Sequence, residues 1–301
     1  MPHRVRRAAE VALLRPLSGE PYDRIGRRQD MLLRALVLFA AVARSGDGVP
    51  IDYTVEGRGE PALVFVHCWN CDRHFWDAQL RAFHKSHQVV AIDLAGHGQS
   101  GTGRKDWTIE AFGDDVKAVV DKLGLKRVVL VGSSMGGPVA LEAARKLGDR
   151  VVGIVAVDTL QNVEQKAPPE QVDKLLQEMT ADYKGQTTKF IGENLFSPTT
   201  PPAVRKRVLT VATSASPDRS VAMLRAAMLY DPVPPLGEIR VPIRAINSDK
   251  YPTNVEANRR HIPQFDVALM KGAGHYLMLE DPGRFNALLA DALSRFEKPP
   301  E

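Results

Sequence analysis

From residue 48 onward the chain alternates two rhythms. Short, nearly continuous apolar runs appear at 62–67 (ALVFVH), 89–93 (VVAID), 127–132 (RVVLVG), 151–158 (VVGIVAVD), 243–247 (IRAIN) and 266–270 (DVALM). Runs of this length with no polar alternation predict strands of a parallel sheet buried on both faces. An earlier run at 51–57 (IDYTVEG) does alternate, and predicts an antiparallel strand ending in a glycine turn. Between the strands lie stretches of helical period at 75–86, 108–123 and 137–148, with Thr108 as the expected N-cap of the second. Strand–helix alternation of this kind predicts an α/β fold, a mostly parallel central sheet with helices on both faces.

One interval breaks the rhythm. The roughly eighty residues between Asp158 and Val241 hold no buried-strand run but do hold helical periods at 168–185 and 203–215, punctuated by SPTTPP (197–202) and DPVPP (231–235). A helical cap at about 160–235, inserted over one end of the sheet, is the simplest organisation. Its cluster Met223, Leu224, Met228 and Leu229 has the spacing of a helix core or of an apolar pocket lining. The domain reading is an N-terminal extension at 1–43 followed by a single domain at 44–301.

That extension changes the meaning of the charge. The chain carries 40 basic and 36 acidic residues, a net charge of +4, but residues 1–43 alone hold eight arginines against four acids. The remaining 258 residues are therefore neutral, which argues against a nucleic acid partner. The extension ends in a nine-residue apolar run, 35–43 (ALVLFAAVA), with a small-residue Ala41-x-Ala43 and with arginines upstream. This is the outline of a signal segment, and the run is too short for a stable membrane span. An exposed amphipathic helix and a true start at Met31 are the alternatives, so localisation is open between the cytoplasm, the first expectation, and export.

Candidate chemistry centres on 128–147, VVLVGSSMGGPVALEAARKL. Within it, Gly132-Ser133-Ser134-Met135-Gly136 is a G-x-S-x-G motif, entered from an apolar strand and left by an Ala/Leu-rich helix. A serine at so tight a strand-to-helix turn sits in a crowded backbone, and the glycines remove the side chains that would clash. Its hydroxyl is presented at a helix N-terminus, where the dipole and free N–H groups favour developing negative charge. A phosphate loop would need a lysine after the glycines, which is missing.

With that motif, DLAGHGQSG (93–101) and GAGHYLMLEDPGRFN (272–286), the chain resembles the α/β-hydrolase superfamily over about residues 48–297, in particular its small serine esterase, haloperoxidase and C–C hydrolase branch. The resemblance implies a Ser–acid–His triad with Ser134 as nucleophile and His275 as base. For the acid it points to Asp249, in NSDKYPTN after strand 243–247, although the spacing is one residue shorter than the family's usual Gly-x-x-Asp. Asp158, at the end of the preceding strand, is the alternative. The oxyanion donors would be the backbone N–H of Met135 and of Trp69. A serine at the turn argues against the epoxide hydrolase and haloalkane dehalogenase branches, which use aspartate there.

The resemblance also bears on VHCWNCD (66–72), which holds both cysteines. In the family this loop reads His-Gly-x, so Cys68 stands in place of the glycine, and a residue forced to φ > 0 there would be strained. Neither a thioredoxin-type centre nor a zinc site built from His67, Cys68, Cys71 and His74 fits the order of motifs or the ligand spacing. Cys71 is read as a small packed side chain. Of the other histidines, His84, His87, His97 and His261 are read as non-catalytic. The function expected is hydrolysis of a small to medium carboxylic ester through an acyl-enzyme. Lactone or C–C hydrolysis on the same triad, or a ligand-binding role, remain as alternatives. The partner is a small-molecule substrate, no metal or organic cofactor is implied, and the oligomeric state is left open.

Overall fold

A computed structural model describes residues 41–296. Eight strands form one sheet: β1 Ala41–Arg44, β2 Pro50–Glu56, β3 Ala62–Val66, β4 Val89–Ile92, β5 Val128–Ser133, β6 Val151–Val157, β7 Ile243–Ser248 and β8 Asp266–Met270. Their order is β1-β2-β4-β3-β5-β6-β7-β8. The pairs β1–β2 and β2–β4 are antiparallel and all others parallel. Every residue of β3, β4 and β5 is buried, which is why these strands read as unbroken apolar runs. Each fully buried Val, Leu or Phe there contributes about 1.5–3 kcal/mol.

Both faces are covered by helices. After a 3-10 turn at Arg73–Trp76 comes α1 (Asp77–Phe83), which packs against the C-terminal α11 (Pro282–Phe296). A separate pair, α2 (Ile109–Lys122) and α3 (Gly136–Leu147), packs together. Thr108 caps α2 as expected, its hydroxyl accepting from the Ala111 N–H at 3.1 Å. Between β6 and β7, in the stretch expected as a cap and called so below, lie α4 (Pro169–Ala181), α5 (Tyr183–Asn194), α6 (Pro202–Ser214), α7 (Pro217–Leu229) and the single turn α8 (Val233–Leu236). The expected helix at 168–185 is broken at Asp182, which leaves helical geometry and caps α5 through the Gly185 N–H. Helices α9 (Val255–His261) and α10 (Leu277–Glu280) complete the chain.

Residues 41–44 form β1, with Val42 opposite Asp52 and Ala43 opposite Ile51. Ala43 is buried and Val42 exposed, the alternation of an edge strand. Ala41 and Ala43 both pair in the sheet, with Tyr53 and Ile51. The rest of the signal outline, 1–40, lies outside the described residues.

Topology points to the site. The chain passes from β3 to β4 on one side, then crosses to β5 on the other. Strand order reverses between β3 and β5, and in open α/β sheets a crevice opens at the carboxyl ends of strands where this happens. The two loops that leave these strands are 67–72 and the turn at Ser134.

Candidate active site

Ser134 follows the last residue of β5 and has φ +53, one of four described non-glycine residues in the left-handed region. Its N–H donates to the Val157 carbonyl and its own carbonyl accepts from Gly137, both near 3 Å, which fixes the turn. The glycines are needed for closeness: a Cβ on Gly132 would lie 2.1 Å from the Gly136 carbonyl oxygen, and one on Gly136 would lie 2.5 Å from that of Val66. The second contact presses the turn against the end of β3, so the loop carrying Cys68 and Trp69 borders Ser134.

Four expected residues line one cavity of about 230 Å³: Ser134, Met135, Trp69 and His275, with Cys68 beside them. Ser134 and His275 are half-buried there, reachable by a ligand. The N–H groups of Trp69 and Met135 donate to no protein acceptor among the described residues. The walls come from Phe190, Leu195, Leu224, Ala227 and Met228 of the cap, and from Pro138, Thr159 and Tyr276 of the body. No Asp, Glu, Lys or Arg lines it. Leu224 and Met228 thus line the cavity, whereas Met223 is buried away from it.

The acid is where the expected site and the geometry part. His275 Nδ1 lies 2.6 Å from Asp158 Oδ2. Asp158 is buried at the end of β6 with φ +45, and its other oxygen accepts from the Ser248 N–H at 2.7 Å. Asp249 is exposed, and its carboxylate accepts from the Gly272 N–H at 2.7 Å, holding the loop that leads to His275. The two aspartates end neighbouring parallel strands. The Asp158 N–H bonds to Ile246 O, and the left-handed turn at 158 aims its carboxylate at His275.

The family comparison covers most of this architecture: residues 63–288 match the alpha/beta hydrolase family. The chain belongs to that family. Among curated proteins it is 26% identical over 247 residues to "AB hydrolase superfamily protein YisY" of Bacillus subtilis, covering 78% of this chain and 91% of that protein. It is 24% identical over 260 residues to "3-oxoadipate enol-lactonase 2" of Acinetobacter baylyi, covering 82% and 94%. Among solved structures, a thermophilic esterase from Thermogutta terrifontis superposes with a TM-score of 0.74 at 25% identity, covering 86% of this chain and 99% of that one.

Two features of this alpha/beta hydrolase were not visible beforehand. The first is a covalent bond: Cys68 and Cys71 form a disulfide, with Cα atoms 5.3 Å apart. Cys71 is therefore not a free packed side chain. The sulfurs are bonded to each other, and both ring nitrogens of His67 are engaged, Nδ1 with Cys68 O at 2.8 Å and Nε2 with the Leu94 N–H at 3.1 Å. Cys68 is not among the described residues with positive φ. The left-handed residue is Asn70, φ +52, a conformation that asparagine tolerates better than most. The second feature is a buried polar cluster joining this loop to the cap. Asn70 Nδ2 donates to Tyr183 OH at 2.9 Å and to Ser220 Oγ at 2.6 Å, while Trp69 Nε1 donates to Ser220 O at 2.8 Å.

Beneath the site, His67 and His97 stack edge to face with centroids 4.7 Å apart, both buried. Burial holds them neutral, pushing His67 down to about 4 and His97 down to about 3. Both values lie below the unfolded value, so unfolding takes up protons once the pH falls below about 6.5. Their stabilising effect is complete above that pH and is lost on acidification toward 4 and then 3. Unfolding free energy measured by urea titration should fall by roughly 1.4 kcal/mol per pH unit for each histidine below about pH 6. His97→Asn should remove about half of that slope; an unchanged slope would mean that these histidines are not buried as neutral groups.

Proposed function

We propose that the protein is a serine hydrolase that cleaves small, uncharged carboxylic esters through an acyl-enzyme. Ser134 would be the nucleophile, His275 the base, Asp158 the acid, and the Trp69 and Met135 N–H groups the oxyanion donors. The reading is carried by one observation: the Asp158-oriented His275 and the strained Ser134 line the same cavity. A carboxylate on Nδ1 fixes the tautomer and leaves Nε2 as the proton acceptor. Nε2 would take the Ser134 proton as Oγ attacks the carbonyl, then return it to the leaving alcohol. Water, deprotonated by the same nitrogen, would release the acid. Two convergent backbone donors at a helix start suit the oxyanion of both steps.

Substrate class follows from the walls. A cavity of about 230 Å³ holds about eight water-sized groups. An apolar lining with no fixed charge leaves a charged acyl chain without a partner. A lactone is a second reading, favoured by the likeness to a protein named an enol-lactonase. With a lactone, the leaving alcohol stays attached to the acyl chain. A series of p-nitrophenyl esters from acetyl to decanoyl, with neutral and carboxylated lactones, tests this. Expected is a maximum of kcat/KM at acetyl to butyryl and a drop of at least tenfold by octanoyl. A maximum at decanoyl, or on a carboxylated substrate, would overturn the substrate class. No turnover of any member would favour a ligand-binding protein.

A further inference from the structure

The loop that carries Trp69 beside Ser134 is closed by a covalent bond. Cys68 and Cys71 enclose only Trp69 and Asn70 in their disulfide ring. A disulfide across so few residues restricts the unfolded chain least, and the sheet is already buried on both faces. The bond acts instead on local geometry. Within the turn, one backbone hydrogen bond runs from the Cys71 N–H to Cys68 O at 3.2 Å, and that carbonyl also accepts from His67. Of the two residues between the sulfurs, Trp69 has an N–H that is unpaired among the described residues, and Trp69 lines the cavity.

Resting on the hydrolase reading above, we propose that the Cys68–Cys71 disulfide is a positioning element that holds the Trp69 N–H toward the oxyanion, and that a small dithiol entering through the substrate cavity reversibly weakens catalysis by opening it. Cys68 lines that cavity, whereas both cysteines are otherwise buried, so the cavity is the path for a small reductant. In the exchange, a thiolate of the dithiol attacks one sulfur and the other cysteine leaves as a thiolate. The second thiol of the reductant then attacks the mixed disulfide and frees the first cysteine. The dithiol ends as a cyclic disulfide, and Cys68 and Cys71 end as two thiols, so two electrons and two protons have moved to the protein. Asn70 and the indole of Trp69 remain tied to Ser220, so the loop loosens but stays docked.

The test uses the full chain and p-nitrophenyl butyrate. Air-oxidised protein is compared with protein held in dithiothreitol, with free thiols counted, thermal unfolding recorded, and the reductant then removed under air. The expected result is two new thiols, a kcat at least tenfold lower with KM within about twofold, and recovery on reoxidation. Cys68→Ala/Cys71→Ala should match the reduced protein and ignore dithiothreitol. Removing one oxyanion donor outright costs about 10²–10³-fold, so a misaligned donor falls at or below that. An unchanged kcat with two thiols present would overturn the proposal. If no thiols appear, the double variant decides, and wild-type kcat in it would overturn the proposal equally. Oxidised wild type that turns over no ester or lactone would instead remove the hydrolase reading, and this proposal with it.

Discussion

Ser134→Ala is expected to lower kcat on p-nitrophenyl butyrate by roughly 10⁵–10⁶-fold, the scale on which losing a nucleophile that acts as one unit with its base removes covalent catalysis. The change is a clean probe for a backbone reason. At φ +53 alanine has the same Cβ and the same strain as serine, so the turn is unaltered and only Oγ is lost. Ser134→Gly should be equally inactive yet more stable, because glycine occupies the left-handed region without a Cβ penalty; a gain of about 1 kcal/mol in unfolding free energy is expected. Activity and stability would then move in opposite directions at one position. A fluorophosphonate should label wild-type protein once, at Ser134, and neither variant. Turnover by Ser134→Ala within tenfold of wild type would end the acyl-enzyme mechanism.

The parts of this site that are local in sequence could be read there. The glycines, Ser134 and Met135 belong to one turn, and the crowding that demands glycine at 132 and 136 acts within a few residues and against β3. The buried strands announce themselves because a sheet covered on both faces leaves no polar alternation. β1 did not, because three of its four residues end an apolar run that also resembles a signal segment, and only pairing with β2 marks them as a strand. The cluster joins Asn70 to Tyr183 and Ser220, each more than a hundred positions away, through side chains common on any surface. Its one local trace is an asparagine in a tight loop. The cysteine pair was visible, but spacing alone does not say whether two thiols three residues apart face each other.

The acid illustrates the same limit with the most consequence. Asp158 and Asp249 both follow a buried parallel strand, β6 and β7, and the two strands are neighbours. At that resolution they are equivalent, and the residue the resemblance pointed to, Asp249, is not the carboxylate bonded to His275. What separates them is a backbone angle and a partner: Asp158 turns through φ +45 into the protein and is pinned by Ser248 N–H, whereas Asp249 faces solvent and closes the loop at Gly272. The single sequence trace was the spacing to Asp249, one residue short of the family's pattern.

Asp158→Asn should therefore lower kcat by about 10⁴-fold, with KM changed little. An amide in that place keeps the shape but presents His275 Nδ1 with the wrong hydrogen-bond partner, favouring the tautomer that cannot accept the Ser134 proton at Nε2 and failing to stabilise the imidazolium. Asp249→Asn keeps an oxygen for the Gly272 N–H, and an exposed loop contact of this kind is worth about 0.5–1.5 kcal/mol. Its kcat should stay within about fivefold of wild type. The comparison is informative in both directions, since the carboxylates are isosteric and the substitutions identical. If Asp249→Asn were the inactive variant and Asp158→Asn the active one, His275 would have to exchange its partner during turnover. The loop at 271–276, held by Asp249 through Gly272 and by the His275 N–H on Leu195 O, would then be the moving part.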